Sequence, residues 1–339
     1  MINVLVTGIG GPTAQGIMRG LADIENIHII GVDRREINSG TPLCDTFYKV
    51  PSVRDEEDAY KNAVKNIVEK ENVDVIFPSL HEEISIYHKF RKQLSAVVAS
   101  PESEILPALT NKIETYRFLE ETPLKEYVPK YFGFKSSEEL KEIIEEHFSD
   151  EKYIAAKQTS AHGALGFALL TDRETYLKGL EEGNKHLVPV EDYLQLQHSG
   201  GEMVMEYLDG QEFSVDIYVY EGDVIATVPR ERSGVASGIV LDGKVVYNEE
   251  LIHISSAVAR ELIRTGFINL QFITKGKSYK LTDVNPRFCG SQIMSVGAGV
   301  NFPYLLIQYQ LLNEYPAVEP EWGTRMIRFR DQFFIKEKT

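Results

Sequence analysis

FINLQFITKGKSYKLTDVNPRF, residues 267–288, reads as two strands joined at Lys275-Gly276-Lys277, with polar side chains set into otherwise apolar runs. In a strand alternate side chains share a face, so Asp283 and Asn285 point the same way, and Gln271 on the hairpin partner can join them. Carboxylate and amide oxygens are hard ligands suited to Mg²⁺, which keeps water and phosphate oxygens in its remaining positions. Arg287, just beyond the second strand, stands where it can hold a phosphoryl group bidentately. The competing reading is a plain hairpin with outward polar residues. An Asn-Pro-Arg end to an apolar strand argues against it.

Working outward, the region from Met203 onward alternates like an antiparallel sheet. Phe213–Tyr220 (FSVDIYVY) is followed by a turn at Glu221-Gly222-Asp223 and a return over Val224–Val228. Asp242-Gly243, between Ile239–Leu241 and Lys244–Tyr247, is the strongest hairpin signal in the chain. A helix is expected over 252–265. Upstream, MEYLDGQE (205–212) ends a strand and enters a turn. Its backbone can meet an adenine edge while Leu208 packs the ring face, and Glu212 can accept from ribose hydroxyls.

Further upstream, Lys112 begins a helix in Thr-Asn-Lys, and Lys157 ends the strand YIAAKQ (153–158). A loop of small residues, Ser160-Ala161-His162-Gly163-Ala164-Leu165-Gly166, follows. Such a loop can close its backbone over phosphates. Two buried lysines are costly unless they meet negative charge, which a triphosphate supplies; two exposed surface lysines are the alternative. Ser136 or Ser137 caps an amphipathic helix, 101–121 reads as helical up to the break at Pro123, and 177–187 reads as helical too.

The first hundred residues alternate strands (NVLVT, IHIIGV, VDVIF, 95–99) with helices (14–21, 58–69), the pattern of a parallel sheet with ligands at the carboxyl ends of its strands. Gly8-Ile9-Gly10-Gly11-Pro12-Thr13 opens a helix and favours an anion. Thr13 stands where a dinucleotide fingerprint has its third glycine, and no Gly-Lys-Ser/Thr follows. Nicotinamide binding, a substrate contact through Gly10 and a purely structural turn all stay open. Glu83 can hold a substrate ammonium or act as a first-turn helix acid. Arg230, Arg232 and Ser237, in Pro-Arg-Glu-Arg…Ser-Gly, suit a substrate carboxylate or a salt-bridge ladder.

The chain of 339 residues exceeds what one core usually serves, so the division expected is 1–110, 111–204 and 205–339. With 36 basic against 51 acidic residues and no basic stripe, nucleic acid is not an expected partner. Cys44 and Cys289 suggest neither a disulfide framework nor zinc. No apolar run reaches membrane-spanning length and MINVLVTGIGG lacks a leader's features, so no membrane partner and a cytoplasmic location are expected.

Taken together, VLVTGIGGP, SPESE…NK, KQTSAHGALG, MEYLDGQEFSVD, INLQF…DVNPRF and GAGVNFPYLL resemble the ATP-grasp superfamily over nearly the whole chain. The closer likeness is to single-unit proteins similar to one synthetase half of the carbamoyl-phosphate synthetase large subunit, including the pyrrolysine-biosynthesis ligase type. The resemblance implies a parallel α/β domain followed by two α+β lobes that hold ATP with Mg²⁺, or Mn²⁺ in its place. It implies phosphate contacts from Lys112 and Lys157, and a lid at Ser160–Gly166 that includes Gly163. It further implies an adenine hinge at Glu206 and Leu208, a ribose acid at Glu212, metal ligands Gln271, Asp283 and Asn285, and a phosphate or substrate arginine at Arg287. Lys157 and Arg287 are then the catalytic cations. Asp283 stands where a longer glutamate is usual and Gln271 where many relatives have a carboxylate. The expected activity joins a small-molecule carboxylate to an amine through an acyl phosphate. A homodimer is left open, and the alternatives are a non-catalytic nucleotide-binding protein and an oxidoreductase.

Overall fold

The computed structural model describes residues 1–160, 166–236, 239–329 and 332–335. Three sheets organise it. The first is parallel, in the order β3-β2-β1-β4-β5, from β1 (Ile2–Thr7), β2 (Ile27–Asp33), β3 (Thr46–Lys49), β4 (Val75–Phe77) and β5 (Val97–Val98). Its central strands are short apolar runs buried on both faces, as crossover helices require. β3 is an additional strand, short and only partly buried, which the periodicity of the sequence does not announce.

The second sheet has the order β6-β10-β7-β8-β9: β6 (Tyr131–Phe134), β7 (Ile154–Gln158), β8 (Ala168–Thr171), β9 (Leu187–Pro189) and β10 (Glu202–Glu206). It is antiparallel except for β8 beside β9, so antiparallel pairing begins well before Met203. The helix expected over 177–187 instead spans Arg173–Glu181, because Asp172 caps it by accepting from the Thr175 N–H. Gly183 then turns with φ 80°, and Leu187 opens β9. Within 101–121, helix occupies only Lys112–Glu120 and one 3₁₀ turn at Ala108–Thr110; the rest of 101–111 is irregular.

The third sheet is antiparallel, β15-β14-β11-β12-β13-β16: β11 (Glu212–Tyr220), β12 (Asp223–Ala236), β13 (Ile239–Val245), β14 (Gly266–Lys275), β15 (Ser278–Asn285) and β16 (Arg325–Ile327). Asp242-Gly243 is no turn. β13 runs straight through both residues, pairing with β12 on one side and β16 on the other. Asp242 is held by an ion pair to Arg325 on β16. Gly243 is there for space, since a Cβ would fall 2.6 Å from the Glu231 carbonyl oxygen and 2.7 Å from Met294 Cε. The expected 252–265 helix begins earlier, at Glu249, where Asn248 caps it by accepting from the Leu251 N–H.

The third sheet joins the other two. Phe213, Val215, Ile217, Leu270 and Phe272 on one face share a core with Met203 and Met205 of the second sheet. Tyr218, Val228 and Phe267 share another with Val6, Phe77 and Ile17 of the N-terminal unit. Phe288 locks that junction, stacked on Phe267 at 4.2 Å and edge-on to Phe77 at 5.4 Å. Among the described residues no helix is long and apolar enough to cross a membrane.

Candidate nucleotide and metal site

The alternation of the third sheet brings a polar set to one face. β11 contributes Glu212, Ser214 and Asp216; β12 contributes Arg230 and Arg232; β14 contributes Asn269 and Gln271; β15 contributes Asp283 and Asn285. Gln271 lies opposite Asp283, and Asn269 opposite Asn285. A bulge makes this possible. Phe272 pairs with Leu281, so Thr282 is an extra residue, and Leu281 faces the core while Asp283 faces the polar side. Tyr116 fixes the bulge by donating to the Thr282 carbonyl at 3.1 Å.

This polar face has two depths. The deeper layer is closed. Arg230 is fully buried, with Nη2 2.6 Å from Asp216 Oδ1 and Nη1 donating to the Ser291 carbonyl at 2.6 Å. Asp216 also accepts from Asn269 at 2.8 Å and Ser295 at 2.7 Å. Burial acts to lower the Arg230 pKa, and neighbouring Asp216 and Cys289 outweigh it, so the guanidinium stays charged. Arg230 is thus spoken for inside the protein, which corrects the expectation of a substrate-facing arginine.

The outer layer opens to a recess lined by His81, Lys112, Thr115, Tyr116, Asp283 and Asn285, where elements from all three regions meet. Two local features deliver the lysines. Asn111 caps the Lys112 helix, accepting from Ile113 N–H at 3.0 Å and Glu114 N–H at 3.3 Å. The Lys112 N–H donates to Thr159 O at 2.9 Å, just past the end of β7, which stitches the helix start to the strand that carries Lys157. Lys112 Nζ lies 3.4 Å from Asp283 Oδ1. Lys157 is pushed down to about 8, first by desolvation, with Lys112 adding to the shift and Asp283 and Glu212 opposing it. Arg232 ion-pairs with Glu212 and donates to Gln271 Oε1 at 3.3 Å. Arg287 donates to Asn285 Oδ1 at 3.4 Å, its Nε is buried without a hydrogen-bond partner among the described residues, and burial lowers its pKa. Glu82 of the N-terminal unit is among the charges that act on it.

Several expected residues lie elsewhere or in other roles. Glu83 is fully buried; it accepts from Thr7 Oγ1 at 2.5 Å, from the Ser79 and Leu80 N–H groups at 3.1 and 3.0 Å, and from Tyr60. It fastens β1 to the loop after β4 and is no holder of an ammonium. Gly10 donates its N–H to Asp33 at 2.9 Å, and Asp33 in turn pairs with Arg35, so the first glycine loop is internally tied. A Cβ at Gly10 would fall 2.0 Å from Arg35 Nη2. Glu206 turns its carboxylate to the Lys130 N–H at 2.9 Å and to Lys275, and the neighbouring Tyr207 and Asp209 are exposed. Leu208 is buried in the core shared with the second sheet. Ser160 and Gly166 bracket the small-residue loop; Gly163 and Ser237 lie outside the described residues. Asp216, Ser214, Asn111 and Thr159 were not singled out by the sequence. The first two alternate with Glu212 in EFSVD (212–216), a pattern that also fits an ordinary solvent-facing strand.

The donor set fits a divalent cation bridged to phosphates. One carboxylate and two amide oxygens offer hard ligands, and the flanking cations suit a polyphosphate. Among the described residues no group of three or more His, Cys, Asp and Glu side chains is placed to hold a metal on its own.

These features together define an ATP-grasp fold. Residues 4–100 match the family model described as PylC-like, N-terminal domain, and residues 200–330 match the one described as ATP-grasp in the biosynthetic pathway with Ter operon. The chain has the fold of ATP-grasp proteins, with an N-terminal segment similar to PylC-like N-terminal domains and a C-terminal segment similar to an ATP-grasp family. Solved structures with the same fold include N5-carboxyaminoimidazole synthetase from Staphylococcus aureus, 14% identical with TM-score 0.65 over 94% of this chain and 80% of that one. A biotin carboxylase–β,γ-ATP complex from Campylobacter jejuni is 16% identical with TM-score 0.66, over 95% and 73%. L-amino acid ligase from Bacillus licheniformis is 13% identical with TM-score 0.62, over 91% and 73%. No curated protein matches the chain.

Proposed function

We propose that this protein is an ATP-dependent ligase that joins a small-molecule carboxylate to an amine, with release of ADP and phosphate. The observation that carries the reading is the convergence of Lys112 and Lys157 on Asp283, beside Gln271 and Asn285, at the meeting of three sheets. An amino acid ligase and an ATP-bound carboxylase among the structures of similar fold support it.

In this reading the second sheet is the small lobe and the third the large lobe of the nucleotide clamp. Leu208 packs the adenine, the 206–209 backbone meets its edge, and Glu212 accepts from the ribose. Lys112 and Lys157 hold the phosphates, and Gln271, Asp283 and Asn285 hold the ion. Mg²⁺, or Mn²⁺ in its place, supplies charge neutralisation between phosphate oxygens when bound. A carboxylate oxygen of the acceptor attacks the γ-phosphorus and ADP leaves. The amine nitrogen then attacks the acyl carbon, phosphate departs, and the surplus amine proton passes to phosphate or water. Arg287, between Asn285 and the N-terminal unit, orients the transferring group. Positioning and fixed charge do this work, so a protein nucleophile is not required.

The test is a pairwise screen of acids and amines scored by ADP release, with mass spectrometry of the product. Asp283→Ala or Lys157→Ala should abolish ADP formation in a chain that still folds. Full activity in either variant would show that this site is not where the chemistry happens.

A further inference from the structure

Each of the three oxygens read as metal ligands already meets a basic side chain. Asp283 Oδ1 has Lys112 Nζ at 3.4 Å. Gln271 Oε1 accepts from Arg232 Nη1 at 3.3 Å. Asn285 Oδ1 accepts from Arg287 Nη2 at 3.4 Å. The three bases come from separate places: a helix start, β12 and the segment after β15. The second carboxylate nearby, Glu212, is also committed to Arg232. With Lys157, four cations face three carboxylates among the described residues, those of Asp283, Glu212 and the more remote Glu82. A divalent ion that enters alone meets net positive charge, and must also break three polar contacts to reach its ligands.

A polyphosphate reverses that balance. Guanidinium and ammonium groups bind phosphate oxygens by strong charge-assisted hydrogen bonds. Drawn onto the phosphates, Lys112, Arg232 and Arg287 release the oxygens they cover. We propose that the divalent-metal site does not exist until the nucleotide arrives: the nucleotide makes the site by withdrawing three cations from three ligand oxygens. Metal enters with the nucleotide or after it, and the metal-first route is closed. The inference rests on the nucleotide reading above and adds a binding order to it.

The test uses Mn²⁺ with the full chain and follows the free-ion signal by electron paramagnetic resonance. Without nucleotide, the wild-type chain should leave Mn²⁺ free at millimolar concentration. Lys112→Met and Arg232→Met, each removing one covering cation, should raise nucleotide-free Mn²⁺ affinity by about tenfold or more. Adding Asp283→Asn to Lys112→Met should abolish the gain. In parallel, calorimetry follows binding of a non-hydrolysable ATP analogue with Mg²⁺. Analogue binding together with wild-type Mn²⁺ binding as tight as in Lys112→Met would overturn the binding order and leave the nucleotide reading standing. Failure of the analogue to bind would overturn both.

Discussion

Lys157 offers a measurement in which the sign is set by the structure. Its pKa is held from an ordinary 10.5 down to about 8 by desolvation. At about 1.4 kcal/mol per tenfold in protonation, keeping it charged costs the nucleotide-free chain up to about 3 kcal/mol at pH 7. The folded pKa is the lower one, so between about pH 8 and 10.5 the unfolded chain binds more protons. Stability from this group therefore rises with pH across that window, and the cost is full below it. Lys157→Met, close in length and without charge, should make the nucleotide-free protein more stable at pH 7, by a few degrees in thermal denaturation. The gap should narrow as pH rises from 8 to 10, because the wild-type lysine then gives up its proton. A non-hydrolysable ATP analogue should reverse the ranking, since phosphate oxygens compensate the buried ammonium only in the wild type. Above pH 8 the same binding event should take up a proton, visible as a dependence of the calorimetric enthalpy on the buffer's ionisation enthalpy. A variant less stable than wild type at pH 7, or a gap constant from pH 7 to 10, would refute the argument that Lys157 is a desolvated cation waiting for an anion.

Glu83→Ala should destabilise the fold by about 2–4 kcal/mol in chemical denaturation, because it strips the partner from several buried donors, while leaving amine affinity unchanged. Arg230→Ala should cost about 3–5 kcal/mol by leaving Asp216 buried without its partner, and Arg230→Ala with Asp216→Ala should recover part of that in a double-mutant cycle. Gly243→Ala should cost about 1–3 kcal/mol in thermal or chemical unfolding, because its methyl group meets backbone, which does not yield.

The sequence shows the strands and the order of the site well, and specific pair geometry poorly. Period-two alternation places Asp283, Asn285 and Gln271 on one face correctly in outline. Alternation alone, however, would send Leu281 and Asp283 to the same side, and only the extra residue Thr282 separates them. Bulges leave no composition signature, so this one is not legible. Asp242-Gly243 fails for a related reason. Asp-Gly is a turn signal when nothing else occupies the space, but Arg325 and the close Glu231 backbone give both residues a place inside a strand. The arginines at 230 and 232 look alike in sequence. Two residues apart on the same face, they end in different layers, one sealed with Asp216 and one at the open edge with Glu212 and Gln271. Depth along a sheet is a property of what packs over it, here Phe288 and the Ser291–Ser295 segment, far away in the chain.

The closed layer also explains how the open one is oriented. Asp216 is acceptor-only when ionised, so the Asn269 amide must turn its nitrogen toward it, and it does, at 2.8 Å. That leaves the Asn269 oxygen facing Asn285, which donates its own nitrogen at 3.5 Å. The Asn285 oxygen is consequently the atom presented to Arg287 and the recess. A relay of amide orientations thus runs from a fully buried carboxylate to the recess beside Arg287. An ion pair that contributes little net stability after desolvation still decides which atom of Asn285 is turned toward Arg287. On this view Asp216 and Arg230 belong to the site through orientation and not through contact, and the polar face of the third sheet acts as one unit from its sealed end to its open one.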